Sequence, residues 1–411
     1  MFVAKFKDGT IISMGEDWRV EELKELRKKR KFYCPTCQQE VQLKLGRTRL
    51  WHFAHHSNEC QGSLEHESMY HLKGKMQLYN WLKKQNVKVA LECYLPIIRQ
   101  RPDLLFRYNE KLYALEYQCS PLETTLMEKR TRGYEQIGII PLWIFGGNRL
   151  KRHGPNTFSL KAFEWLASRT SKKHHFHLTY FCPDQNRFAH LHQLTPYSPI
   201  KVLTSYHETP TFHTTIDSII YPQSKENINI LEKWLTIKKN WRYQTLSPYP
   251  SKLQRNSRNL LYKNRIPPGF FPIEAGWPTA YHYLFASSPK HWQLLLLFEC
   301  LQHQPLQRSF PRRIVSQCMY FYIEHNWINL RRMPSSTHWE LAVKGYLHFL
   351  VKIGYLEKIN EKEEDYKRVK DITIPSSLEE AIKLDHMLKV QVMNQNNQGY
   401  NKGISVRKTN I

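Results

Sequence analysis

The stretch RQRPDLLFRYNEKLYALEYQCS, from Arg99 to Ser120, predicts a β-hairpin. Apolar residues recur on both sides of Asn109 and Glu110, which suit a two-residue turn. Such a turn places Asp103 directly opposite Glu116. Like charges in that position lie about 4.5–5.5 Å apart and repel each other. The facing carboxylates therefore predict that a cation lies close to them.

The segment before the hairpin, HESMYHLKGKMQLYNWL, predicts an amphipathic helix. Its apolar residues recur at helical spacing on one side. Glu67, His71 and Lys75 fall on the other side, and Glu67 and His71 are one turn apart. A helix that crosses the hairpin could bring Glu67 close to Asp103 and Glu116.

Three convergent carboxylates favour a hard divalent cation, because Mg²⁺ and Mn²⁺ prefer oxygen ligands. One or two such ions could lower the pKa of a bound water and stabilise the charge that develops on a phosphodiester. Gln118 points to the same face of its strand as Glu116. The alternative is structural: Asp103 begins a strand near solvent, and Glu116 pairs with Arg101 or Lys111.

A second set of candidate ligands lies in YCPTCQQEVQLKLGRTRLWHFAHHSNEC. Cys34 and Cys37 are spaced so that both thiolates can reach one ion, and His52 and His55 complete a Cys2His2 set for a structural zinc. The histidines are separated by two residues rather than three to five. Two substitute ligands follow them, His56 and Cys60. The alternative is a pair of free cysteines beside chance histidines.

Composition favours a polyanionic partner. The 411 residues include 61 Lys and Arg against 36 Asp and Glu, a net charge of +25. Such an excess suits nucleic acid or an anionic membrane surface. The apolar run Trp292–Leu301 is too short to span a bilayer and contains Glu299. No signal peptide, basic amphipathic helix or lipidation motif is apparent, so we expect a cytoplasmic protein without an integral membrane segment. Its excess of positive charge then makes DNA the expected partner.

The order of these motifs resembles known families. RPD, twelve residues and then EYQ, preceded by a helical glutamate and followed by a helix and a strand, resembles the PD-(D/E)XK nuclease superfamily. More narrowly, the order YCPTC, WHFAH, ES-x2-H, QRPD, E-x-Q-x-S, R-x3-Y and LWIF over residues 1–170 resembles the competence protein CoiA family.

This resemblance implies a zinc-binding N-terminal region and a nuclease-like core that processes or recombines DNA taken up in natural transformation. By the same resemblance Asp103 and Glu116 would bind Mg²⁺ or Mn²⁺, and Glu67 would be an accessory ligand. Gln118 stands where the superfamily has a lysine, and its amide could orient a water but is neither a base nor a cation.

That departure leaves two hypotheses. The first is a Mg²⁺-dependent endo- or exodeoxyribonuclease that acts on single-stranded or branched DNA. The second is a degenerate nuclease fold that serves, with recombination proteins, as a DNA-binding accessory without catalysis. Five further side chains are candidates for contacts to phosphate or to a metal-bound water: His71, Lys75, Arg101, Arg130 and Tyr134. For Tyr134 a packed aromatic ring is the alternative.

The expected fold class is α/β. Its core is an α+β nuclease-like domain with a mixed sheet flanked by helices. The sequence predicts five segments: a zinc-binding segment at 1–62, the nuclease-like domain at 63–170, a connector at 171–224, a mostly helical C-terminal domain at 225–385 with a winged-helix-like end, and a disordered tail at 386–411.

Overall fold

The chain divides into two units in this computed structural model. It describes residues 1–46, 49–56, 68–170, 176–223, 229–244, 249–250, 252–334, 337–360 and 364–405, with side chains up to residue 394. The first unit is Met1–Leu194 with Thr204–Glu226, and the second is Thr195–Leu203 with Asn227–Ile411. In the described part of the chain, no helix is both long and apolar enough to cross a membrane.

The N-terminal segment forms a small antiparallel sheet with one helix. Its elements are β1 (Val3–Lys5), β2 (Ile11–Ser13), α1 (Val20–Lys29), β3 (Phe32–Tyr33), β4 (Glu40–Lys44) and β5 (His52–His55). The strand order is β2-β1-β3-β4-β5. Phe2, Phe32 and Phe53 are at most 3% exposed and belong to the same hydrophobic core as Leu78 and Leu115. The small sheet therefore shares a core with the domain that follows it.

The rest of the first unit is built on one large sheet. Its elements are α2 (Met69–Lys83), β6 (Val89–Leu91), β7 (Leu104–Tyr108), β8 (Lys111–Gln118), α3 (Thr124–Gln136), β9 (Ile140–Gly146), β10 (Lys151–Gly154), β11 (Thr157–Ser159), α4 (Ala162–Leu166), β12 (Arg169–Thr170), β13 (Phe176–Cys182), β14 (Arg187–Pro196), β15 (Lys201–Pro210) and α5 (Ile216–Ile220). The order is β10-β11-β15-β14-β13-β9-β8-β7-β6, and β12 pairs with β13. Because β9 is parallel to both β8 and β13, the sheet is mixed, as predicted.

The hairpin that the sequence predicts is strands β7 and β8. Tyr108 pairs with Lys111, and the register continues to Leu104 opposite Leu115. Asn109 and Glu110 have φ angles of 45° and 58°. Two successive positive φ angles are the signature of a type I′ turn, whose twist matches that of the strands. The turn therefore fixes the register that places Asp103 opposite Glu116.

Segment 171–224 differs from the connector that the sequence predicts. Strands β13, β14 and β15 are part of the large sheet, next to β9 on one side and β11 on the other. The seven residues of β13 are buried at every position but the last. Histidine and threonine occupy several of the buried positions, so the strands lack a clear alternation of apolar and polar residues. The boundary at residue 170 consequently falls inside the sheet domain.

The second unit is mostly helical. Its elements are α6 (Ile230–Tyr243), α7 (Lys252–Lys263), α8 (Pro289–Leu295), β16 (Ser309–Pro311), α9 (Arg312–Glu324), α10 (Glu340–Lys352), β17 (Leu356–Asn360), β18 (Asp365–Arg368) and α11 (Leu378–Ser405). A π-helical turn over Leu296–Leu301 follows α8. The tail that the sequence predicts as disordered from 386 instead continues α11 to Ser405. Cys300 and Cys318 form a disulfide.

The C-terminal end contains the hairpin that the sequence predicts as a wing. Strands β16, β18 and β17 form a sheet in that order. Most positions of α10, the helix that precedes the wing, are buried. Lys367 pairs with Glu357 at 2.6 Å, and Arg368 pairs with Asp371 at 3.5 Å. The hairpin of the expected wing is therefore present, and two of its cations are paired with acidic side chains.

Candidate active site and Cys/His cluster

Helix α2 places two basic side chains against Asp103. Its first turn is capped by Ser68, whose hydroxyl accepts the backbone N–H of His71. One turn later, Gly74 packs so closely against the Tyr117 ring that an added Cβ would clash with it. This close approach brings Lys75, on the face that the sequence predicts to be polar, into the interior with 1% of its surface exposed.

Asp103 is bonded through both of its carboxylate oxygens. Lys75 Nζ lies 2.8 Å from Oδ1, and His71 Nε2 lies 3.4 Å from the same oxygen. The backbone N–H of Tyr117 donates to Oδ2 over 2.9 Å. Burial alone would raise the pKa of Asp103, but the charges of Lys75 and His71 hold it well below its ordinary value. The carboxylate is therefore ionised.

Glu92 is a site residue that the sequence analysis missed. Its Oε1 lies 2.8 Å from Lys75 Nζ, and both side chains are 1% exposed. Its Oε2 accepts the backbone N–H groups of Phe2 and Val3 over 2.8 and 3.2 Å. The signal was a single acid within the apolar run VALECYL, since a carboxylate rarely enters a core without a partner. Glu92 links the first strand of the chain to the Lys75 site.

Glu116 is held by helix α3. Arg130 Nη2 and the Tyr134 hydroxyl, one turn apart on α3, both donate to Glu116 Oε1. Arg130 also donates to the backbone carbonyl of Arg101 over 3.4 Å. Burial raises the pKa of the Glu116 carboxyl, although the charge of Arg130 opposes the shift. The predicted residues Arg130 and Tyr134 therefore lie against Glu116 and fix its orientation.

Two other predicted residues lie nearby in different roles. The Gln118 amide donates to the carbonyl of Ser120 over 3.0 Å. Arg101 Nη1 lies 4.0 Å from Glu92 Oε2. Glu67, the expected helical acid, lies outside the described residues.

Protein cations compensate the two facing carboxylates. The sequence predicts a cation near Asp103 and Glu116 because like charges repel, and Lys75 and Arg130 supply positive charge to them directly. The repulsion between the carboxylates therefore does not by itself require a metal. Their hard oxygen donors nevertheless fit Mg²⁺ or Mn²⁺, which proteins often bind through one or two carboxylates together with phosphate oxygens of the substrate.

Cys34, Cys37 and His55 converge in the N-terminal sheet, with their potential ligand atoms within 4.8 Å of one another. Cys37 Sγ lies 3.3 Å from His55 Nε2. Burial opposes ionisation of the Cys34 thiol, but backbone N–H groups of Cys37 and Thr36 and the charge of Arg101 together lower its pKa. Two thiols and an imidazole are a donor set that suits zinc.

The expected fourth ligand, His52, is not part of this cluster. It is three residues from His55 on strand β5, so the two side chains point to opposite faces. His52 Nδ1 instead lies 2.9 Å from the carbonyl of Leu50. Of the two substitutes, His56 is exposed and Cys60 lies outside the described residues.

The chain is similar to known proteins along most of its length. Residues 67–224 match the nuclease-like domain of competence protein CoiA, residues 15–63 its N-terminal domain and residues 230–382 its C-terminal domain. Competence protein CoiA of Bacillus subtilis (strain 168) is 33% identical over 341 residues, which cover 82% of this chain and 89% of that protein. This chain belongs to the competence protein CoiA family. The nuclease-like match extends through strands β13–β15, in agreement with their place in the sheet. No solved structure matches the chain.

Proposed function

We propose that this CoiA-family protein is a metal-dependent phosphodiesterase that processes DNA taken up in natural transformation. The observation that carries the proposal is the position of Lys75 Nζ, 2.8 Å from Asp103. In the superfamily pattern a lysine follows the second acid by two residues, but here that residue is Gln118. Lys75 would supply the missing positive charge from helix α2, although it lies beside the first acid, Asp103, and not the second.

The chain's own residues then have defined roles. Asp103 and Glu116 would hold Mg²⁺ or Mn²⁺, which lowers the pKa of a bound water and stabilises charge on the phosphodiester. Lys75 balances the charge of Asp103 and is close enough to orient a water beside it. Arg130 and Tyr134 fix Glu116. His71 Nε2, 3.4 Å from Asp103 Oδ1, would contact a water beside that carboxylate.

The expected substrate is single-stranded or branched DNA. A net charge of +25 supports binding to a polyanion. The Cys34, Cys37 and His55 cluster would hold a structural zinc that stabilises the N-terminal sheet. Contact with recombination proteins and a cytoplasmic location stay predictions.

A second function is favoured by one specific observation. Lys75 already forms an ion pair with Asp103, and Arg130 forms one with Glu116. Both cations would compete with a metal ion for the carboxylate oxygens. A protein that kept these internal ion pairs would retain the fold and bind DNA without cleaving it. It would then act as an accessory in recombination.

The experiment that separates the two functions measures cleavage and binding together. Labelled single-stranded, double-stranded and branched DNA are incubated with Mg²⁺, Mn²⁺ or chelator, using wild-type protein, Asp103→Asn and a control, Glu110→Gln. Glu110 lies in the turn of the same hairpin with its side chain 96% exposed. The nuclease proposal expects metal-dependent cleavage that Asp103→Asn abolishes and Glu110→Gln preserves.

Binding without cleavage by the wild-type protein on all three substrates would overturn the nuclease proposal and support the accessory function. Circular dichroism and salt-dependent DNA binding of Asp103→Asn show whether the variant is folded. Transformation frequency, in a competent strain whose own copy of the gene is replaced by the Asp103→Asn form, gives a second readout. The accessory function expects wild-type frequency.

A further inference from the structure

Histidines from adjacent strands of the large sheet cluster in a region that the proposed nuclease activity does not use. His190 and His192 are two residues apart on β14 and therefore point to the same face of the sheet. His207 lies on the neighbouring strand β15. On the other side of β14, His177 of β13 pairs in register with His192.

The rings of three of these histidines face one another. His207 stacks on His190 with ring centroids 4.8 Å apart and on His192 with centroids 4.9 Å apart. One ring nitrogen from each of the three lies within 4.8 Å of the other two. Zn–N bonds are about 2.0–2.1 Å long, so two ligands of a tetrahedral ion lie roughly 3.4 Å apart. Because an imidazole binds a metal in the plane of its ring, His207 would have to turn out of its stacked position for the three nitrogens to reach one ion.

The cluster is buried, and part of its bonding capacity is unused. His190 and His192 are each 4% exposed, and His207 is half-buried. Within the described part of the chain, His192 Nε2 has no hydrogen-bond partner. A buried polar nitrogen without a partner is destabilising, because it has lost its hydrogen bond to water. A leucine or phenylalanine would fill the same space without that cost, so packing alone does not explain histidine here.

Two threonine hydroxyls flank His190. Thr179 Oγ1 lies 3.5 Å from Nδ1, and Thr209 Oγ1 lies 3.3 Å from Nε2. Both contacts are long for hydrogen bonds. One ring nitrogen of His190 could therefore leave its threonine and bind a metal, while the other nitrogen keeps its threonine contact and holds the ring in place. Hydrogen bonds of this kind orient the ligating imidazole in many metal sites.

We propose that His190, His192 and His207 form a third metal site, specific for a divalent transition metal and best fitted to Zn²⁺, that fastens strand β14 to β15. Three neutral imidazoles without a carboxylate disfavour Mg²⁺ and Ca²⁺, whereas Zn²⁺, Cu²⁺ and Ni²⁺ accept nitrogen ligands. Three histidines leave a fourth position open to water. The site is distinct in ligand type from the Cys34, Cys37 and His55 cluster.

The two sites can be counted separately because mercurial reagents release metal that is held by thiolates. Chelated wild-type protein is reloaded with Zn²⁺ and weighed by native mass spectrometry before and after p-mercuribenzoate. We expect one Zn²⁺ ion per chain to remain after the reagent. In His192→Gln and His207→Gln that remaining ion should be lost. A control, His153→Gln, changes an exposed histidine on strand β10 of the same sheet and should keep it.

A measurement on the wild-type protein does not depend on the variants folding. Electron paramagnetic resonance of one added equivalent of Cu²⁺, with the thiols blocked, should show coupling to several imidazole nitrogens. Absence of any ion that survives the mercurial, or a Cu²⁺ signal without nitrogen coupling, would overturn the proposal. Equal retention of Zn²⁺ in wild type and in folded His192→Gln would overturn it as well.

Discussion

Lys75 and Glu92 form an ion pair in which each side chain is 1% exposed, with 2.8 Å between Nζ and Oε1. Glu92 also accepts the backbone N–H groups of Phe2 and Val3 at the start of the N-terminal sheet. Further partners offset the cost of burying this pair, because Lys75 Nζ also contacts Asp103 and Glu92 Oε2 accepts backbone N–H groups. The candidate active site and the N-terminal sheet are therefore joined through one carboxylate.

Glu92→Ala should destabilise the protein by about 3–5 kcal/mol, because it removes a buried carboxylate partner of Lys75 and the acceptor of two backbone N–H groups. Glu92→Gln keeps an acceptor for the N–H groups and should cost less. Urea denaturation gives both free energies of unfolding. Glu110→Ala, at an exposed carboxylate, is the control and should lie within about 0.5 kcal/mol of wild type. An equally small effect of Glu92→Ala would contradict the prediction.

Lys75→Met should reverse the pH dependence at this site. In the folded wild type the pKa of Asp103 is lowered. Its ionised carboxylate therefore stabilises the protein at any pH above the ordinary pKa of an aspartate, and this stabilisation is lost as the pH falls through the lowered pKa of the folded state. Without the ammonium, Asp103 and Glu92 are buried carboxylates that fold more favourably when protonated. The variant's loss of stability should thus be larger at about pH 8 than at about pH 5.

The matched control for this prediction is Lys73→Met. Lys73 lies on the same helix but pairs with exposed Asp184 at 2.7 Å. Its effect on the free energy of unfolding should be about 1 kcal/mol or less at both pH values. A loss in Lys75→Met that is the same at both pH values would show that the ammonium does not control these carboxylates.

Cys37→Ser should release the zinc that we assign to the N-terminal cluster. The substitution removes one of three convergent ligands, and the expected result is loss of the mercurial-sensitive Zn²⁺ with a lower melting temperature. Cys93→Ser serves as the control, since Cys93 is a half-buried free thiol outside the cluster. Equal zinc content in the two variants would exclude Cys37 as a ligand.

His282 should make the second unit sensitive to acid. Burial lowers its pKa from the ordinary 6.5 to about 4. Between these values the unfolded chain binds a proton that the folded chain excludes, so stability falls as the pH falls from 6.5 towards 4. The slope from one such group is at most about 1.4 kcal/mol per pH unit.

Urea denaturation at several pH values tests this slope. His282→Gln should flatten it between about pH 6.5 and 4.5, whereas His325→Gln, at an exposed histidine, should leave it unchanged. If the two variants show the same slope as wild type, burial of His282 does not contribute to acid sensitivity.

Much of the first unit could be predicted from local sequence. The turn at Asn109 and Glu110, the register of β7 and β8, and the mixed sheet all follow from residues close together in the chain. Strands β13–β15 could not be predicted, because buried histidines and threonines obscured their pattern. The position of His52 was also mispredicted. His52 and His55 lie on one strand, so their side chains point to opposite faces of the sheet, and the spacing of the two histidines in the sequence did not reveal that strand.

The sequence by itself determined the hairpin, the facing pair Asp103 and Glu116, and the membership in a family of competence proteins. The tertiary structure decided which cations balance that pair. Lys75 and Arg130 come from helices on opposite sides of the hairpin in the sequence, and Glu92 joins Lys75 to the start of the chain. The local sequence pattern specifies which side chains point to the same face of an element. The packing of distant elements decides which charges meet in the interior. Because water is excluded there, a buried charge without a partner is strongly destabilising.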